Sequence, residues 1–176
     1  MARPTIVIPG IQGSSLENYY PLAPEVTWST LRVVESHVVA PDFDALALDD
    51  PADADLSDNV ITRPAALLAA AYAPLVAGLR GRSDGGLAYL FPYDWRYSNM
   101  VTAQRLVAFV KQLQKKPIKG WDQRFDFVVH SMGGLVLRAF LSAWGAGPLP
   151  IGKVVFIATP HRGSLDAAIS KGRSWM

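Results

Sequence analysis

One junction in this chain leaves few folds open. The run Phe125-Asp126-Phe127-Val128-Val129-His130 is short, aromatic and β-branched, and reads as a buried strand. It passes at once into Ser131-Met132-Gly133-Gly134 and then an apolar stretch to Trp144. That stretch is apolar almost all round, as expected of a helix lying beneath a central strand. A strand that turns directly into a helix brings two backbones close together, so small residues are needed there, and the glycines supply them. Thr5–Pro9, Gly86–Phe91 and Lys153–Ala158 are also short and read as buried strands. Between the second and third of these four strands, Asn99–Lys116 places Val101, Leu106, Val107, Phe109, Val110 and Leu113 on a helical stripe. Ser98 or Asn99 can cap it, and lysines fill its last turn. Strands alternating with helices predict an α/β fold, a mostly parallel sheet flanked by helices.

Half of the 176 residues are hydrophobic and 18% are charged, enough for one domain over residues 1–176 with a real core. The stretch from Ser14 to Arg82 breaks the rhythm and predicts a lid- or cap-like insertion after the first strand, at about residues 18–86. Its acidic part, Asp42 to Asp58, reads as a solvated loop, and the Ala/Leu-rich run from Pro64 to Leu79 as a packed helix rather than a membrane-surface element. No internal repeat occurs.

Several function classes are set aside by composition. The net charge is +2 with no basic cluster, so nucleic-acid binding is not suggested. There are no cysteines, which excludes disulfides and thiolate metal sites. The apolar run near Met1 is too short for a signal peptide and is broken by Pro9. No stretch reaches the roughly 18 apolar residues of a transmembrane segment. These features point to the cytoplasm. Neither Gly-x-x-x-x-Gly-Lys-Ser/Thr nor Gly-x-Gly-x-x-Gly follows the first strand, which argues against a nucleotide-binding domain.

The chemistry concentrates at Ser131. A serine on a tight strand-to-helix turn is a nucleophile elbow, with its hydroxyl clear of the backbone and the helix N–H groups beside it. His130, Gly133 and Gly134 complete the elbow. The glycine usual two residues before the serine is Val129 here. Taken alone, the motif also describes a helix start with no chemistry. The Gly-rich turn Pro9-Gly10-Ile11-Gln12-Gly13 follows the first strand, where such folds keep a second oxyanion donor. The donors would be the backbone N–H groups of Ile11 and Met132. Thr159-Pro160-His161-Arg162-Gly163-Ser164 follows the last strand.

Together, Ile6–Glu17, Pro92-Tyr93-Asp94-Trp95-Arg96, His130–Gly134 and Ala158–Ser164 resemble the lecithin–cholesterol acyltransferase family of α/β-hydrolases. The resemblance implies a partial α/β-hydrolase fold with spatial strand order Gly86–Phe91, Thr5–Pro9, Phe125–His130, Lys153–Ala158. It implies a lipase, esterase or O-acyltransferase acting on lipid or lipid-like esters through an acyl-serine at Ser131, with no metal or organic cofactor. It also places Tyr93–Arg96 in a structural element near the acyl site.

A serine needs a histidine base and an acidic partner, in chain order Ser, Asp/Glu, His. After Ser131 the only histidine is His161, with no Asp or Glu before it; Asp166 follows it. In the family His161 belongs to the Thr-Pro-His-Arg-Gly-Ser loop and is not the base. His130 reads as a packing residue, and His37 has no readable partner. The expectation is a truncated domain whose acid and base come from a missing C-terminal segment or a second chain, and which is inactive alone. The competing expectation is a non-catalytic lipid- or partner-binding module of the same fold.

Overall fold

A computed structural model describes residues 3–19, 23, 25–29, 62–83, 86–116, 118 and 120–164. The acidic run at Asp42–Asp58, His37 and Asp166 lie outside the described residues.

The elements follow in chain order. They are β1 (Thr5–Ile8), β2 (Ser14–Asn18), β3 (Glu25–Trp28), β4 (Thr62–Leu67), α1 (Ala69–Arg80), β5 (Ala88–Leu90), α2 (Asn99–Gln114), β6 (Phe125–His130), α3 (Met132–Ala143) and β7 (Ile151–Ile157). One sheet is fully parallel, in the order β5-β1-β6-β7, the order implied by the family resemblance. Ile6 lies opposite Tyr89 on one side and Phe127 on the other, and Val128 lies opposite Val155.

The strand sequences follow from this placement. β1 and β6 have neighbours on both edges and cover on both faces, so every residue of β1 is buried. Ile6 and Ile8, with Phe125, Phe127 and Val129, face the main core formed with Leu106 and Val110 of α2 and Val136, Leu137 and Phe140 of α3. Val7 points the other way and packs with Leu67 and Tyr72, beside Leu75, Val76 and Leu79 of α1. The alternation along β1 divides the two layers of helix. Ser98 starts α2, its hydroxyl accepting the Val101 N–H at 3.3 Å.

β7 is the least covered strand. Val155, Phe156 and Ile157 are between 39% and 52% exposed. It begins at Ile151, opposite Phe125; the β6–β7 register slips between Phe125 and Phe127, and Asp126 accepts the Lys153 N–H at 2.8 Å.

One expectation is corrected. The Pro64–Leu79 run is not one helix. Thr62–Leu67 is β4, paired antiparallel with β2, which itself pairs with β3. Pro64 favours extended backbone at Arg63, and β4 is the edge strand of this small sheet, where a missing N–H is tolerated. The helix begins only at Ala69. The antiparallel sheet itself was not expected.

Phe127 is fully buried at the centre of the main core, against Phe140 at 6.1 Å between ring centroids. Phe127→Ala is expected to cost about 3–5 kcal/mol, read as a lower midpoint in urea at unchanged slope.

Candidate active site

Ser131 occupies the single-residue turn between β6 and α3 with φ 49° and ψ −123°. An L-residue there carries strain of about 1–3 kcal/mol. Two backbone bonds hold it: its N–H donates to the Ile157 carbonyl at 2.8 Å, and its carbonyl accepts the Gly134 N–H at 3.1 Å. Among the described residues no side chain is hydrogen-bonded to its hydroxyl.

The tightness of this turn rests on three glycines. A Cβ at Gly133 would fall on the Pro9 and Ile8 carbonyl oxygens, and one at Gly134 on the Thr159 side chain. A Cβ at Gly10 would stand 2.9 Å from Ser131 Cβ and 3.1 Å from His130 Nδ1. The turn after β1 and the elbow are therefore in direct contact. Val129, the departure from the usual glycine, is fully buried in the main core instead of crowding the turn.

The Gly10–Gly13 turn closes through the Gly13 N–H to the Gly10 carbonyl at 3.1 Å, with Gln12 at φ 58°. Ile11 stands at its tip, 56% exposed. Met132 opens α3, so its N–H belongs to the helix's unsatisfied first turn.

Pro92–Arg96 fastens this turn from outside. Buried Tyr93 donates its hydroxyl to the Pro9 carbonyl at 3.0 Å, and its N–H donates to Ser14 Oγ at 3.0 Å. Burial pushes the Tyr93 phenol up, so it remains a donor at neutral pH. The Trp95 indole N–H donates to the Ser14 carbonyl at 3.3 Å. Asp94 and Arg96 form a buried ion pair, with Nε to Oδ1 at 2.9 Å and Nη2 to Oδ2 at 2.7 Å. The Arg96 N–H also reaches Asp94 Oδ1.

The two histidines near the elbow have other contacts. His130 Nδ1 lies 2.8 Å from the Tyr72 hydroxyl, which also accepts the Gly10 N–H at 2.8 Å. His161 packs its ring edge-on to Phe156 at 5.0 Å, and its N–H donates to the Thr159 carbonyl. Sequence reading missed Tyr72 and Ser14. The available signals were a single aromatic residue inside an Ala-rich run, and a serine directly after a glycine turn.

With this geometry in view, comparison with known proteins becomes specific. Residues 87–172 match the family described as lecithin:cholesterol acyltransferase. The family match contains Pro92–Arg96, the elbow and the Thr159–Ser164 loop, while Ile6–Glu17 lies outside it. A chain in the crystal structure of the Tle4–Tli4 complex matches at TM-score 0.59 and 18% identity, over 93% of this chain and 47% of that one. The likeness is one of fold, and this chain spans about half the length of that protein. The parallel sheet and its helices are the α/β-hydrolase type. No curated protein sequence matches. Among the described residues no helix is long and apolar enough to cross a membrane, and no group of three His, Asp or Glu is placed to hold a metal ion.

Two substitutions test this architecture. Gly133→Ala must push α3 off the β1 carbonyls and is expected to cost about 1–3 kcal/mol by chemical denaturation. Asp94→Asn removes the carboxylate that holds Arg96 through two side-chain hydrogen bonds and is expected to lower the urea midpoint, with faster exchange of the Tyr93 amide proton.

Proposed function

We propose that this chain is the nucleophile-bearing part of a serine acyl hydrolase or acyltransferase acting on lipid or lipid-like esters. The observation that carries the reading is the Ser131 backbone, held at φ 49° on a turn whose neighbours are too close for any side chain at Gly10, Gly133 or Gly134. The family match supports a lipid ester as substrate.

The proposed chemistry has two steps. Ser131 Oγ attacks the ester carbonyl carbon while its proton passes to a base, and the N–H groups of Met132 and Ile11 receive the charge on the carbonyl oxygen. The carbon–oxygen bond to the leaving alcohol breaks, the proton goes to that oxygen, and an acyl-Ser131 remains. Water or a second alcohol then repeats the sequence in reverse and frees the serine. No cofactor is required by these steps.

The base and its acidic partner are assigned to residues outside this chain. His130 is engaged by Tyr72, and His161 lies against Phe156 with no acidic residue between it and Ser131 in sequence. Loss of the base costs a triad enzyme about six orders of magnitude.

Free imidazole can stand in for a missing base. With a short p-nitrophenyl ester, the chain alone is expected to show negligible turnover. Imidazole should then raise the rate well above that of Ser131→Ala under the same conditions. Ser131-dependent turnover without imidazole means that a base, with His161 the first candidate, is already present. No Ser131-dependent rate under either condition sinks the nucleophile reading and leaves a lipid- or partner-binding module.

A further inference from the structure

The hydroxyl of Tyr72 joins the two halves of the site. It accepts the N–H of Gly10, the residue before Ile11, and meets Nδ1 of His130, the residue before Ser131, each at 2.8 Å. Tyr72 is 5% exposed, the buried residue of α1, and its ring meets the imidazole edge-on at 5.8 Å. Burial raises its pKa, so the phenol is neutral at ordinary pH.

A neutral phenol has one hydrogen to give and lone pairs to receive. The Gly10 N–H occupies a lone pair. Among the described residues, the phenol hydrogen has His130 Nδ1 as its acceptor. With the phenol as donor, Nδ1 is the unprotonated nitrogen and the ring carries its hydrogen on Nε2; a hydrogen on Nδ1 would reverse the bond. One hydroxyl thereby fixes the turn that bears Ile11 and the tautomer of the residue that adjoins Ser131.

We propose that Tyr72 is a positioning residue of this site, through which the seating of α1 on the sheet sets the Gly10–Ile11 turn against the elbow. The proposal rests on the reading of Ser131 as nucleophile. The remaining inward contacts of α1, from Leu75, Val76 and Leu79 toward Val7 and Leu90, are apolar and carry no directional information. Its outward residues Ala69, Ala71, Ala73, Pro74 and Ala77 are exposed. The N-cap of this helix, Leu68, donates its N–H to the Gly13 carbonyl at 3.0 Å at the far end of the same turn; among the described residues the Tyr72 hydroxyl is the side-chain link from the helix to Gly10 and to His130, and moving the helix releases that end of the turn.

The test uses the ¹⁵N-labelled 176-residue chain and Tyr72→Phe, which keeps the ring and removes the hydroxyl. In the parent chain His130 Nδ1 is expected to show the chemical shift of an unprotonated nitrogen, and the Gly10 amide to be protected from exchange. In Tyr72→Phe that protection should fall at least about tenfold, and the two imidazole nitrogens should move toward averaged tautomer shifts. In the imidazole-assisted ester assay, kcat should fall about tenfold with KM unchanged, as expected when an oxyanion donor is misplaced. Unchanged Gly10 exchange and His130 shifts in Tyr72→Phe overturn the proposal. So do moved spectra with an unmoved kcat. Should Tyr72→Phe fail to fold, the parent chain decides: a hydrogen on His130 Nδ1, or a Gly10 amide exchanging as fast as an unstructured one, overturns it. Absence of Ser131-dependent cleavage in both chains instead defeats the nucleophile reading, while the spectra still report the direction of the proton.

Discussion

The contact between the first turn of α3 and the end of β1 governs the rest of the molecule. Gly133 lies so close to the Ile8 and Pro9 carbonyls that no Cβ fits between them. That approach sets where α3 crosses the sheet. It also sets which faces of Val136, Leu137 and Phe140 reach the strands, and it forces Ser131 into a turn of one residue. The same approach brings the turn after β1 against the elbow, so the two proposed oxyanion donors come from backbone segments that touch. A core and a site are built by one steric constraint, as expected where close packing leaves no slack.

The Pro92–Arg96 segment shows how a buried charge pair serves such a site. Asp94 and Arg96 are joined by two side-chain hydrogen bonds. Their mutual bonds hold the backbone between them, and the flanking Tyr93 and Trp95 carry three hydrogen bonds to Pro9 and Ser14. The pair offsets its desolvation through near-ideal geometry, and what it fixes is the position of a neighbouring turn.

The sequence disclosed the parallel layer and the elbow, because both rest on local signals. Short apolar strands, a capped amphipathic helix and a serine at a strand-to-helix junction can each be read within a window of about a dozen residues. Strand order came from the family resemblance rather than from periodicity. The antiparallel sheet was not legible. Ser14–Asn18 and Thr62–Leu67 are separated by a long stretch of chain, alternate weakly, and include Pro64, so their pairing depends on partners no window contains. Tyr72 was hidden for a related reason. A tyrosine in an Ala/Leu run reads as ordinary packing, and its hydroxyl acquires meaning only when residues 10 and 130 meet it in space.

Ser131 is a poor choice by the standards of its own backbone. A positive φ with ψ −123° suits a residue without a Cβ, and glycine would relieve strain at that point. The chain is thus less stable than it needs to be at a single peptide unit, in exchange for one hydroxyl group. A library selected only for thermal stability should therefore drift toward glycine at this position, and the drift would erase the side chain around which the surrounding turn is organised.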